Sequence, residues 1–571
     1  MSERPPARWT LPTVTEEDAS RLAGELGISA LVARILIKRG YGDAEAAHRF
    51  LHPSLDAMHD PRLLAGMEAA APRLARAVRE KEPILLYGDY DVDGTSSVVI
   101  LKKSLELLGA DADFHVPHRL KDGYGMRPEV ITEAAARGVK LIVSVDTGIR
   151  ALEVCRHARE LGVDVIVTDH HLPEAELPPA AAVVNPNQPG CPYPEKNLCG
   201  AGVAFKLVQA LWGELDVPAA RAARLTESFL KLVAIATVAD VVPLTGENRI
   251  IVSHGLRGLG RTPNPGLRAL LAVAGFEEGA NPTAGQIAFR VAPRINAAGR
   301  MATARAVIEL LTTTDAGRAA AIAAELNELN ADRQAAEAGM LEDALAACEA
   351  EPVGEDRRGL VFAGEGWHRG VVGIVASRLV DRFHRPAFVI GIDSERGEAQ
   401  GSGRSIPAFH LLEGLESMAD LFLKFGGHRQ AAGVTLRTDR LEEFRKRFNE
   451  YACRVLEPAD LCAQYEPDAV LRLGELNEKT FGEIAALAPF GYANPAPLFA
   501  VLGAEVPAPP TVMKEKHLRF RIRQQGRWFG CKAWHWAERL EAVTSARDFL
   551  LSVEDDTYAG GWVANLRDVR S

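Results

Sequence analysis

The chain has 571 residues, too many for one ordinary core, so three or so domains are expected. It is 47% hydrophobic and 25% charged, the balance of a globular protein, and no apolar run approaches the roughly 18 residues of a membrane span. A net charge of −10 argues against a uniformly basic nucleic-acid binder but leaves room for a local basic surface.

The N-terminus, MSERPPARWT, lacks an apolar signal-peptide core. The seven cysteines form no Cys-x-x-Cys pair, which argues against a zinc site or disulfide framework and fits a reducing, cytoplasmic compartment. Residues 1–75 read as a polar, helical N-terminal cap. An α/β pattern begins at Pro83: the strand PILLYG, then TSSVVILKKSLELLG, a helix predicted to start at Thr95 or Ser96. A strand over Asp113–Val116, a helix over Pro128–Arg137, the strand KLIVSV, a helix over Ala151–Leu161 and the strand VDVIVT follow. Short apolar strands alternating with helices predict a parallel sheet over 76–315, with ligands at the carboxyl ends of its strands.

Residues 316–350, rich in alanine and glutamate, read as a long connecting helix. A second, smaller α/β domain is expected over 351–457, with glycine-rich loops at GEAQGSGRS and KFGGHRQAAG. The remainder, 458–571, has short strand-like runs and few helices, as in a small β-barrel.

Polar groups collect where apolar elements stop. Asp89, Asp91 and Asp93 follow the first strand, Asp146 follows KLIVSV, Asp169, His170 and His171 follow VDVIVT, and Asp240 ends the helix FLKLVAIATVAD. Asp-x-Asp-Gly alone is commonly a turn, and the run lacks the glutamate that closes a calcium loop. Carboxylates gathered at adjacent strand ends would repel one another unless cations held them. Carboxylate plus imidazole suits Mn2+ or Mg2+. Two such ions about 4 Å apart suit an in-line phosphoryl displacement.

GDYDVDG, SVDTG, TDHH and ATVADVVPL resemble, in order and spacing, the four motifs of the DHH phosphoesterases. KFGGHRQAAG resembles the DHHA1-type second domain of that family. With RINAAGRM, GSGRS and APFGYANPAPLF, the chain is similar to the family's single-strand-specific 5′→3′ exonucleases from Pro83 onward. The resemblance implies a metal-dependent enzyme that degrades single-stranded DNA to 5′-mononucleotides in repair and recombination. A single-strand binding protein and a helicase would be its partners. It implies Asp91, Asp93, Asp146, His170 and Asp240 as metal ligands, with Asp146 bridging two ions and Asp89 ligating or orienting. His171 would face the scissile phosphate, and Asp169 would orient the histidines. Tyr87 stands where many members of the wider superfamily have a histidine ligand, which leaves open whether one or two ions bind.

Ser402, Arg404 and Ser405, with Gly426, Gly427 and His428, are implied to hold the 5′ nucleotide across a cleft from the metals; for each stretch alone the alternative is a plain turn. Arg119, Arg294, Asn296 and Arg300 are secondary phosphate-binding candidates. In LRFRIR, Leu518, Phe520 and Ile522 alternate with Arg519, Arg521 and Arg523, and Trp528, Phe529, Trp534 and Trp536 follow. A strand puts the arginines on one face. Such a face suits strand tracking and base stacking, or is simply solvated; the implied OB-fold favours DNA. Two rival readings are another DHH phosphoesterase, acting on short oligonucleotides, cyclic dinucleotides or pyrophosphate, and a catalytically silent DNA-binding replication module.

Overall fold

The computed structural model describes residues 7–119, 122–123, 125–301, 303–556 and 560–571. The chain divides into two units, one comprising Pro12–Leu329 with Asp468–Ser571, the other the chain up to Leu11 with Asn330–Pro467.

The first unit holds a five-stranded parallel sheet. Its strands are β1 (Ile84–Tyr87), β2 (Ala112–His115), β3 (Leu141–Val145), β4 (Asp164–Thr168) and β5 (Ala182–Val184), in the order β2-β1-β3-β4-β5. The order reverses between β1 and β3, so the chain opens a crevice where those two strands end. Both faces are covered, which explains why β1 and β3 read as continuous apolar runs. On one face Ile84, Leu86, Leu141, Val143 and Ile166 pack under α4 (Met67–Glu80), α5 (Val92–Leu107), α8 (Gly200–Glu214) and α9 (Ala219–Ala239). On the other, Leu85, Tyr87, Ile142, Val165 and Val167 pack under α6 (Pro128–Ala136) and α7 (Leu152–Glu160). Tyr87 is therefore a core residue whose hydroxyl donates to the Gly125 carbonyl at 3.3 Å.

The N-terminal helices α1 (Glu16–Leu26), α2 (Ala30–Lys38) and α3 (Ala44–Leu51) share a core with the C-terminal sheet rather than with the parallel one. Further along, α10 (Ala292–Met301) packs on the loop after β1 so closely that a Cβ on Gly299 would lie 2.4 Å from the Tyr90 carbonyl oxygen. A 35-residue helix, α11 (Ala316–Ala350), carries the chain from the first unit into the second.

The second unit is a five-stranded mixed sheet. It comprises β6 (Leu360–Glu365), β7 (Ala387–Asp393), β8 (Glu398–Arg404), β9 (Phe422–Gly427) and β10 (Ala431–Arg437), in the order β9-β10-β8-β7-β6. Helix α12 (Val372–Phe383) packs on β7 and β8, and Phe388, Phe409, Phe444 and Phe448 meet edge to face at its core. The expected glycine-rich loops are strands. Gly401 and Gly403 serve close packing: a Cβ would stand 2.5 Å from the Val389 carbonyl oxygen or from the Phe388 ring.

The C-terminal sheet has seven strands: β11 (Ala469–Val470), β12 (Leu498–Val501), β13 (Thr511–Met513), β14 (His517–Gln524), β15 (Arg527–Ala533), β16 (Asp548–Asp555) and β17 (Trp562–Arg570). It belongs to the first unit because buried groups tie it there. The Arg249 guanidinium lies 3.8 Å from the Phe50 ring centroid and donates to the carbonyls of Phe50, Ala486, Leu487 and Ala488. Arg39 forks onto Asp468 and reaches Asn494 at 2.6 Å. Among the described residues no helix is long and apolar enough to cross a membrane.

Candidate metal centre

Helix α5 begins at Val92, earlier than the hydroxyl residues suggest. Asp91 is extended, and its carboxylate accepts from the Gly94 N–H at 2.9 Å, so an aspartate is the N-cap. Thr95 and Ser97 turn back to the carbonyls of Asp91 and Asp93. Gly94 is needed for contact: a Cβ there would meet Asp89 at 2.7 Å.

The ends of β1, β3 and β4 are neighbours, and they bring the predicted ligands together. Asp89, Asp91 and Asp146 form one group, Asp93, His170 and Asp240 a second, and Asp146, His170 and His171 a third; within each, ligand atoms lie within 4.8 Å of one another. His170 Nε2 stands 3.1 Å from Asp146 Oδ1 and 3.7 Å from carboxylate oxygens of Asp93 and Asp240. Asp240 arrives as the C-cap of α9. Asp146 sits in left-handed backbone at φ 57°, a conformation an aspartate tolerates better than most residues.

Burial pushes Asp89 up to about 7 and Asp240 to about 9, and neighbouring carboxylates add to it. Burial and Asp93 likewise raise Asp91 and Asp146. Asp89 Oδ1 and His170 Nε2 are buried without a hydrogen bond. Buried carboxylates forced together around an imidazole that none of them satisfies are a donor set for divalent cations. The residues present fit Mn2+ or Mg2+.

Asp169 takes another role. It accepts from the N–H groups of Ile149, His170 and His171, and lies 2.7 Å from His171 Nδ1. Burial works to raise Asp169, but these bonds hold it below the usual carboxylate range. Burial also works to lower His171, yet the bond and charge of Asp169 leave its imidazole above the ordinary 6.5. The Asp169 contact thus fixes the orientation of the ring through Nδ1.

Three supports were not foreseen. Asn185 and Asn187, in the turn after β5, donate to the carbonyls of His171 and His170 at 2.9 and 2.7 Å. The first turn of α8 holds Asp93 through the Gly200 and Ala201 N–H groups. Their traces in the sequence are the turn NPNQ and the doublet of glycines in CGAG.

The secondary candidates divide. Arg119 lies 5.0 Å from the Tyr90 ring centroid and acts on the Asp89 carboxylate. Asn296 accepts from the Val92 N–H at 3.3 Å, and Arg300 acts on Tyr90. Arg294 instead turns to Asn327 and the Arg290 carbonyl, because an intrahelical acceptor and a neighbouring amide satisfy it.

In the second unit, register places Ser402, Gly433 and Gly426 in one row across three strands, with Gly403, Ala432 and Gly427 in the next. Arg404 Nη1 donates to Ser402 Oγ at 2.8 Å. Both side chains face the first turn of α12: a Cβ on Gly373 would lie 3.0 Å from Arg404 Nη2 and 3.2 Å from Ser402 Oγ. Ser405 Oγ is occupied by the Phe409 carbonyl, and His428 sits exposed at the β9–β10 turn.

On β14 the alternation is as expected: Leu518, Phe520 and Ile522 are buried, Arg519, Arg521 and Arg523 exposed. Arg519 stands opposite Lys532, Arg521 opposite Gly530 and Arg523 opposite Trp528. Trp528 and Trp534 are 51% and 49% exposed. Arg523 is partly neutralised, donating to Glu505 at 2.7 Å.

A parallel sheet carrying carboxylates and imidazoles on its C-terminal edge defines a phosphoesterase of the DHH class. Residues 83–237 match the DHH family N-terminal domain, 356–453 the DHHA1 domain and 467–567 the RecJ OB domain. The chain is 41% identical over 538 residues to the single-stranded-DNA-specific exonuclease RecJ of Bacillus subtilis, covering 94% of this chain and 67% of that one. It is 39% identical over 484 residues to the RecJ of Escherichia coli, covering 82% of each. The crystal structure of Thermus thermophilus RecJ with Mn2+ superposes with a TM-score of 0.83 at 32% identity, over 100% of this chain and 80% of that one. Its Mg2+ complex gives 0.78 at 31%, over 100% and 79%. This chain belongs to the RecJ family.

Proposed function

We propose that this chain is a cytoplasmic, divalent-metal-dependent exonuclease that degrades single-stranded DNA from the 5′ end, releasing 5′-mononucleotides, in repair and recombination. The observation that carries this reading is the joining of two carboxylate groups through Asp146 and His170, within 3.1 Å of each other. Such a centre suits a pair of Mn2+ or Mg2+ ions, held by Asp89, Asp91 and Asp146 on one side and by Asp93, His170 and Asp240 on the other. When bound, these ions make water nucleophilic at neutral pH and neutralise the charge gained by the phosphorane-like transition state.

The protein's own groups supply the rest. His171, held by Asp169 and raised above its ordinary pKa, is placed to donate a proton or hydrogen bond to the phosphate under attack. Ser402 and Arg404, at the first turn of α12, supply a hydroxyl and a forked cation for the terminal phosphate. Arg519, Arg521 and the exposed tryptophans provide charge for the backbone and rings for bases. A helicase that exposes single strands and a protein that coats them are the partners this chemistry calls for.

The test is Mn2+-dependent release of nucleotides from 5′-phosphorylated single strands, set against duplex, short RNA and pyrophosphate. Preference for short RNA or pyrophosphate would assign a different phosphoesterase activity. Binding to single strands without release of nucleotides would assign a silent module.

A further inference from the structure

Helix α8 places its first turn inside the carboxylate cluster. The Gly200 N–H donates to Asp93 Oδ2 at 2.5 Å and the Ala201 N–H to Asp93 Oδ1 at 2.7 Å. The same helix end presses on a second carboxylate: a Cβ on Gly200 would stand 2.6 Å from the Asp146 Cβ and 2.8 Å from its Oδ1. Atoms do not approach so closely, so any side chain at 200 must drive the helix or Asp146 away.

The helix has little freedom to retreat. Further along α8, the buried Lys206 ammonium is bound to Glu247 and to the His59 carbonyl. Trp212 Nε1 donates to Ser104 Oγ at 3.1 Å. The position of the first turn is therefore set from behind, and with it the spacing of Asp93 and Asp146.

We infer that Gly200 is a positioning residue of the metal centre. With the N–H groups of Gly200 and Ala201, it orients Asp93 and fixes its separation from Asp146, and so sets the affinity for divalent cation. Two N–H groups aligned with a helix dipole bring partial positive charge to a crowded acidic site. Unlike a lysine, they cannot swing out or fill the cation's place. Each Asp93 oxygen accepts one N–H and keeps a lone pair for a cation. Residues that hold a metal's ligands in place commonly change affinity by roughly 10- to 100-fold when altered.

The inference rests on the metal-centre reading, and the experiment separates the two. Three forms of the full chain are compared with wild type: Gly200→Ala, Gly202→Ala, and a backbone ester at Ala201, in which lactate replaces alanine and an ester oxygen takes the place of the N–H that Asp93 accepts. Gly202 is the matched control, because a Cβ there would meet Leu198 at an ordinary 3.4 Å. Free Mn2+ is titrated by electron paramagnetic resonance, and metal-free melting and single-strand binding in chelator are followed in parallel. Gly200→Ala and the ester should bind Mn2+ roughly 10-fold or more weakly, with metal-free melting lowered but still above the assay temperature, strand binding near wild type and activity regained at high Mn2+. Gly202→Ala should match wild type. Should Gly200→Ala not fold, the ester, which adds no atom that can clash, decides alone. Mn2+ affinity within about twofold of wild type in the ester would overturn the inference. Failure of the wild-type chain to bind Mn2+ would overturn the metal centre itself.

Discussion

His170 Nε2 lies 3.1 Å from Asp146 Oδ1, and through this contact a group of carboxylates from the loop after β1 meets a second group from the ends of α5, β4 and α9. Asp146 thus sits with Asp89 and Asp91 and also stands against His170 of the second group. Asp146→Asn keeps the shape that Gly200 packs against but removes the charge. It should lower hydrolysis by roughly 1000-fold or more while single-strand binding and the metal-free melting temperature stay near wild type. Activity within tenfold of wild type at saturating Mn2+ would refute the role given to Asp146.

Metal binding should stabilise the chain more as pH rises. Asp89 and Asp240, ordinarily at 3.8, are raised by burial to about 7 and about 9. Between those values and the unfolded ones, the folded chain binds protons that the unfolded chain has lost. Without metal, stability therefore falls as pH rises from about 4 toward about 9. Cations replace those protons and remove the repulsion. The increase in melting temperature on adding Mg2+ should be larger at about pH 8.5 than at about pH 6. An increment that shrinks with pH would place the cation elsewhere.

Arg404→Ala should weaken use of 5′-phosphorylated ends by roughly 10- to 100-fold, the worth of a charge-assisted fork, and affect 5′-hydroxyl ends much less. Equal losses on both substrates would show that Arg404 only supports Ser402 and the first turn of α12.

The β14 face separates charge from stacking. Arg519→Ala with Arg521→Ala should weaken binding of long single strands and flatten its salt dependence, by about 1.4 in the log–log slope if each contacts one phosphate. Trp528→Ala should weaken binding by ~1–3 kcal/mol with the slope little changed. Affinities equal to wild type in both variants would make this a solvated strand face.

Arg249→Met should destabilise the first unit by roughly 3–5 kcal/mol, because the buried carbonyls of Phe50 and Leu487 and the partly buried ones of Ala486 and Ala488 lose their donor. For the same reason deletion of the chain from about Pro458 should not leave a sound catalytic unit: it would strip Arg249 of three acceptors and uncover α1–α3. A deletion that folds with the wild-type melting temperature would contradict this.

The alternation of strands with helices and the acidic edge were legible in the sequence, since a parallel strand covered on both faces is mostly apolar and its charged residues collect where it stops. Asp146 and His170 could be located in this way, and Asp240 at the end of an apolar helix, before any distance was known. The amphipathic β14 was equally plain, because alternation has a period of two and no other element shares it. The glycine-rich stretches misled: flexibility and close packing both call for glycine, and only the Phe388 ring and the Val389 carbonyl distinguish them. The start of α5 was misplaced because aspartate and hydroxyl residues cap helices equally well, and Asp91 caps while also facing the cluster. What the tertiary structure alone decided was contact between distant segments: Gly200 against Asp146, Gly299 against Tyr90, and Arg249 between Phe50 and Ala488. Sequence patterns carry the period of a helix or strand, which is local. Which segment lies against which is settled by the packing of the whole core, and no single stretch of chain contains it.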